Sequence, residues 1–208
     1  MADKKNLNLD APETVRTKRR TTGIVGLNLL LDGGFPEGTL IMLYGTPVAG
    51  VDLAAYQFWK GEEGAEGTYL MNDGDVDAGM IDATEMDPGL YQSHMTGSRI
   101  VVDSLTTLIV NHGIEEALKF LIHTREEMRK RNANMVFTVY SGIHLPIEMT
   151  KIMRAADVVI EFKTEVHQAE IERTLAVQKI KGAATPQRLL PFIITDNGIE
   201  ASTTSRVV

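Results

Sequence analysis

The chain has 208 residues, with 21 basic and 28 acidic side chains, a formal net charge of −7 and no cysteine. At roughly 100–200 residues per domain it makes one domain with a full core, and its 24% charged and 43% hydrophobic composition excludes a disordered or fibrous chain. The lack of cysteine excludes disulfide scaffolds, thiolate zinc sites, iron–sulfur clusters and cysteine nucleophiles.

Residues 1–20 carry Lys4, Lys5, Arg16, Lys18, Arg19 and Arg20 against Asp3, Asp10 and Glu13. They hold no apolar core of a secretory signal, and read as a basic, flexible arm ahead of a single domain over 21–208. The rest of the chain is net −10, which repels phosphate backbones and makes nucleic acid an unfavourable partner. No apolar run approaches the ~20 residues of a bilayer span. A cytoplasmic protein that does not engage the membrane is expected.

From residue 39 the pattern alternates strands and helices. Residues 39–44 form a short apolar run that stops at Gly45, and a helix follows from Val51 to about Glu63, with Leu53, Ala54, Phe58 and Trp59 at helical spacing. Strands are expected at 67–72, 99–103 and 135–140, a short helix at 75–84 and another at 146–156 with Pro146 in its first turn. The clearest amphipathic helix is 114–130, with Leu118, Leu121, Ile122 and Met128 on one side and Glu115, Lys119, Glu126 and Arg129 on the other. Residues 157–166 and 170–180 alternate in period two around a turn near 167–169, and so predict an antiparallel hairpin. Residues 187–195 and 196–201 add one more strand pair through an Asp-Asn-Gly turn. Strand–helix units followed by a β-meander imply an α/β fold with a mostly parallel sheet, extended by C-terminal antiparallel strands.

A strand ending in Gly45, a turn and a helix have the layout of a phosphate-binding loop. Such loops follow G-x-x-x-x-G-K-S/T: backbone N–H groups surround the phosphates, Lys reaches the β- and γ-phosphates, and the hydroxyl holds Mg²⁺. Here Gly45 and Gly50 have the right spacing around Thr46, Pro47, Val48 and Ala49, but Val51 stands in the Lys position and Asp52 in the Ser/Thr position. Two glycines five apart fit a plain strand–turn–helix as well.

The flanking residues narrow the choice. Thr22, Gly23, Gly26, Leu27, Gly33, Gly34, Phe35, Pro36 and Gly38 lie in register with a motif that leads into the loop, and the segment resembles the KaiC-like branch of the RecA superfamily. Residues 99–108 resemble that family's Walker B strand, ending in Asp103, and 155–162 and 178–199 are similar to its later strands. The likeness covers about residues 21–201. It implies a RecA-like P-loop NTPase core with helices on both faces of the sheet.

The resemblance also implies where ATP and Mg²⁺ would bind, and what this chain has changed. Val51 removes an ammonium–phosphate hydrogen bond worth about 1.5–3 kcal/mol. Asp52 puts a carboxylate beside the triphosphate, and at ~5 Å each such pair repels by about 1–3 kcal/mol for effective dielectrics of roughly 80 to 20. The family's water-activating Glu pair is matched by Asn72 and Asp73, and Asn cannot accept a proton at neutral pH. Only Asp103 stands, as the Mg²⁺ ligand if nucleotide binds; a helix cap would equally explain it. Asp52, in the first turn of a helix, is expected to act as an internal anion and close the loop without nucleotide. Lys179 and Lys181 match residues that reach a neighbouring subunit's γ-phosphate, or else mark the solvent side of a strand.

Two other motifs are weaker. Asp73, Asp75 and Asp77 match positions 1, 3 and 5 of a calcium loop, but Ala78 and Thr84 replace its Gly and its bidentate Glu. The five histidines show no ligand spacing. The expectation is a degenerate KaiC-like ATPase homologue that does not hydrolyse ATP, requires no cofactor, and acts as a regulatory or protein-interaction subunit. Its partners would be copies of itself or an active relative. The alternative is nucleotide binding, or slow Mg²⁺-dependent hydrolysis, on an unconventional phosphate loop.

Overall fold

The computed structural model describes residues 18–61, 66–168 and 170–202. The expected arm therefore lies outside the described residues as far as residue 17, as does Ala169 of the hairpin turn. Arg19 and Arg20 belong to the fold: they form β1 (Arg19–Arg20), antiparallel to β2 (Phe35–Pro36), with α1 (Val25–Leu30) between them.

The central strands are β3 (Leu40–Gly45), β4 (Gly67–Met71), β5 (Ile81–Asp82), β6 (Arg99–Asp103), β7 (Asn134–Tyr140) and β8 (Val158–His167). All pair in parallel, and β9 (Glu170–Ile180), β10 (Leu190–Thr195) and β11 (Gly198–Ala201) continue the sheet in antiparallel pairs. Strands β3, β4, β6 and β7 and the first half of β8 are buried almost throughout, because both faces of the sheet are covered there. The order across the sheet is β11-β10-β9-β8-β3-β7-β6-β4-β5. Alternation along each strand then sorts the core into two layers. Ile41, Leu43, Tyr69 and Val101 share one buried cluster with α2 (Val51–Lys60) and α1. Leu40, Met42, Leu70 and Val102 share the other with α3 (Tyr91–His94), α4 (Leu105–His112), α5 (Ile114–Arg131) and α6 (Pro146–Ala155).

Three expectations give way. The helix expected at 75–84 is a loop ending in β5, which pairs Ile81 and Asp82 with Leu70 and Met71. Its residues favour turns over helix: Asp, Val and Gly are poor helix formers, Gly79 has φ 90°, and the Asp82 carboxylate accepts from the Thr84 N–H at 3.0 Å. α4 was not foreseen; it begins directly after β6, where Ser104 accepts from the Thr107 N–H at 3.3 Å as its cap. On α5 the buried stripe is Ala117, Phe120, Leu121, Thr124 and Met128, and Ile122 is 55% exposed. Small and polar residues thus complete a face that hydrophobicity alone assigned one position too far round.

Arg99 opens β6 with no exposed surface. Its Nη1 donates to the Thr21 carbonyl at 2.9 Å and to the Phe58 carbonyl at 2.7 Å, and its guanidinium lies 5.1 Å from the Phe58 ring. Phe58 is in the last turn of α2, where a cation is favoured. The side chain therefore fastens the entry segment and α2 to the sheet. Replacing it by Met leaves the Thr21 and Phe58 carbonyls without these donors, and Arg99→Met is expected to cost about 2–4 kcal/mol, read as a lower denaturant midpoint with unchanged slope.

Candidate functional site

In open parallel sheets the crevice beyond the carboxyl ends of the strands is where ligands bind. β3 ends there at Gly45, β4 at Met71, β6 at Asp103 and β7 at Tyr140. Gly45 is required by close approach: a Cβ there would stand 2.7 Å from the Phe162 carbonyl oxygen and 3.2 Å from the Ala49 Cβ. The loop turns through an Ala49 N–H to Thr46 carbonyl bond of 2.9 Å, and Gly50, at φ 86° and ψ 23°, starts α2 in the left-handed region. Thr46 and Pro47 are exposed, as is Val48 at 74%, whereas Ala49 and Val51 are fully buried. Val51 belongs to the cluster that includes Phe58, Phe162 and Ile199. The position expected to carry a phosphate-seeking ammonium is part of the core.

Beside the loop lies a cleft of about 420 Å³. It is lined by Asp52, Asp73, Asp75, Asp77 and Asp103, by Tyr56, Tyr69 and Tyr140, and by Leu53, Met71, Gly74 and Met80. No Lys, Arg or His lines it among the described residues. Asp52 is exposed in the first turn of α2 and makes no hydrogen bond among the described residues, so the expected internal anion does not close the loop. Its carboxylate turns instead towards the cleft, where it acts on Asp103, Tyr69 and Tyr140.

Asp103 is buried, with each oxygen held by a hydroxyl. Thr138 donates to Oδ1 at 2.5 Å and Tyr69 to Oδ2 at 2.5 Å. Burial raises its pKa above the ordinary carboxylate value; the two hydroxyls oppose that rise, and Asp73 and Asp52 add to it. The Tyr69 and Tyr140 hydroxyls are pushed up as well, first by burial and then by Asp103. Asn72 is equally committed. Its Nδ2 donates to the Ser104 carbonyl at 3.0 Å, and its Oδ1 accepts from the Tyr91 hydroxyl at 3.0 Å. Asp73 Oδ2 accepts from Ser104 Oγ at 2.6 Å and from Thr107 Oγ1.

A nucleotide and its Mg²⁺ are the ligands this fold implies, and the residues present do not fit them. Five carboxylates line the cleft beside the loop with no cation among its lining, the residue in the lysine position is apolar and buried, and no three acidic or histidine side chains converge as a metal cage among the described residues. The same geometry removes the calcium loop, since Asp73, Asp75 and Asp77 line the cleft without forming such a group.

Lys179 and Lys181 lie away from the cleft. Lys179 Nζ donates to the carbonyls of Met153 at 2.9 Å, Arg154 at 3.3 Å and Ala156 at 2.6 Å, capping the end of α6 within its own chain. Lys181 Nζ is 3.5 Å from Asp157 Oδ1. Asp157 itself, and the hydroxyl pair Tyr69 and Thr138, were not singled out from sequence. A tyrosine at a buried strand position needs a partner for its hydroxyl, and that signal at Tyr69 pointed towards Asp103. Among the described residues no helix is long and apolar enough to cross a membrane.

A family model described as a family of unknown function, DUF7125, matches residues 83–206, more than half of the chain. The chain belongs to the DUF7125 family. This DUF7125 chain is also similar to a UPF0273 protein of Pyrococcus horikoshii, at 23% identity over 88% of this chain and 93% of that protein. A UPF0273 protein of Aeropyrum pernix is 24% identical over 87% and 92%. Among solved structures it resembles the crystal structure of a KaiC-like protein from P. horikoshii, with a TM-score of 0.73 and 19% identity over 89% of this chain and 99% of that one. The DUF7125 chain thus has the KaiC-like, RecA-like fold that its sequence motifs implied, C-terminal antiparallel strands included.

The buried Asp103 makes stability depend on pH in a defined direction. A carboxyl whose pKa is raised on folding binds its proton more tightly when folded, so stability falls as pH rises from the ordinary value of 3.8 through the folded value. Asp103→Asn is expected to gain on the wild type across that window, seen as a rising difference in thermal midpoint. Lys179→Met uncaps α6 and is expected to lower stability by about 1–2 kcal/mol in chemical denaturation.

Proposed function

We propose that this protein is a hydrolytically inactive KaiC-like ATPase homologue that works as a regulatory or protein-interaction subunit in the cytoplasm and requires no cofactor. The observation that carries the reading is Asn72. With Asp73 it matches the family's water-activating Glu pair; both ends of its amide are bonded, to Ser104 and Tyr91, and Asp73 is bonded to the Ser104 and Thr107 hydroxyls. An amide cannot take a proton from water at neutral pH, and this one is also held away from any water by its two partners. Val51 adds to the case, because phosphoryl transfer depends on fixed charges and its apolar side chain is buried in the core. What the fold keeps is a rigid scaffold with surfaces for other chains. Its partners on this reading are further copies or an active relative of the same fold.

A second reading is favoured by one observation: Asp52, Asp73 and Asp103 share a single cleft. It holds that the chain binds nucleotide and hydrolyses it slowly, with these carboxylates as the residues that would hold Mg²⁺. Phosphate release from purified protein with millimolar ATP and Mg²⁺ separates the two. The first reading expects no release above a protein-free blank, with the assembly state seen by light scattering unchanged by ATP. Release that disappears in Asp103→Asn would establish the second.

A further inference from the structure

Loss of hydrolysis leaves open whether a triphosphate enters the cleft at all. We infer that the cleft rejects nucleoside triphosphates by charge, with or without a divalent cation, and that a lysine restored at position 51 does not by itself reverse this. The inference goes beyond the inactive-ATPase reading, which requires only that turnover be lost.

Three features support it. The walls carry Asp52, Asp73, Asp75, Asp77 and Asp103 without a cation among the described residues, so a polyanion meets like charge from three elements: α2, the loop after β4, and the end of β6. A low-dielectric wall strengthens that repulsion relative to open water. Next, at the Asp103 and Asp73 end of the cleft a bridging cation competes with hydrogen bonds already made. Both oxygens of Asp103 accept hydroxyl hydrogen bonds, and Asp73 Oδ2 accepts two. Finally, the loop is held in shape by the protein itself. Ala49 and Val51 are buried, and a Cβ on Gly50 would meet Ile194 Cδ1 at 3.3 Å and Ile199 Cδ1 at 3.5 Å, so the β10–β11 hairpin braces the turn from below. A lone lysine at 51 would leave the core for the cleft and pair with carboxylates there before it met a phosphate.

The test is calorimetric titration of the full chain with millimolar ATP, once with Mg²⁺ and once with EDTA. The samples are wild type, Val51→Lys, and a variant combining Val51→Lys with Asp52→Thr, Asp75→Ser and Asp77→Ser. Wild type and Val51→Lys are expected to show no saturable binding, and the combined variant to bind at least tenfold tighter than Val51→Lys. Sub-millimolar binding by wild type would overturn the inference. So would equal binding by Val51→Lys and the combined variant, or a combined variant that folds by circular dichroism and still does not bind. Should that variant fail to fold, thermal shifts of wild type with adenosine, AMP, ADP and ATP decide. Charge rejection expects no rise in affinity with phosphate number, and a rise would refute it. Binding without turnover would remove this inference and leave the inactive-ATPase reading intact, whereas turnover would remove both.

Discussion

Asp157, a buried carboxylate at the start of β8, ties together the parts of the molecule that would otherwise have independent registers. Its Oδ2 accepts from the Leu40 N–H at 3.1 Å, its own N–H donates to the Leu40 carbonyl at 2.8 Å, and its carbonyl accepts from the Lys181 N–H at 2.8 Å. Around it stand Arg125 at 3.7 Å, Arg129 at 3.6 Å and Lys181 at 3.5 Å. One side chain thereby fixes where β3 begins, where β9 ends and how α5 lies across them. A carboxylate so far from water is tolerated only with cations and donors on several sides, and that requirement is met by residues from three separate elements. Arg99 does the complementary work at the start of β6, with a buried cation held by carbonyls. Between these two fixed points the strands run parallel, and their carboxyl ends are set at one edge.

The field at that edge is negative. The first turn of α2 presents unpaired N–H groups and the positive end of the helix dipole, an arrangement suited to an anion. Asp52 lies in that turn, and Asp73, Asp75, Asp77 and Asp103 surround the space in front of it. The backbone keeps the shape of an anion site while the side chains reverse its polarity. Tyr69 and Thr138 make the reversal tolerable at its deepest point, by donating to a carboxylate that burial would otherwise discharge.

Much of this could be read from sequence because apolar runs and glycine spacing report on backbone geometry. Gly45 and Gly50 marked the loop, the runs at 39–44 and 99–103 marked central strands, and the period-two segments after Asp157 marked the hairpins. The site's chemistry was legible in part: Val51, Asp52, Asn72 and Asp103 were named from their positions. Their partners were not, since Tyr69, Tyr91, Ser104 and Thr138 meet these residues only across the sheet. The roles of Lys179 and Lys181 depend on α6 ending beside β9, which no spacing along the chain encodes. Likewise the loop at 75–84 follows from strand pairing at the sheet edge, a tertiary choice that overrode local pattern.

The loop between β3 and α2 combines a buried, self-supporting base with an exposed tip. Val48 projects from it at 74% exposure, two residues from the left-handed Gly50, and the whole chain has no cysteine. A single thiol introduced at 48 would therefore be unique and freely reactive. It would carry a dye or spin label on the loop ahead of α2 without disturbing the packing beneath, making that loop a reporter of whatever approaches its face.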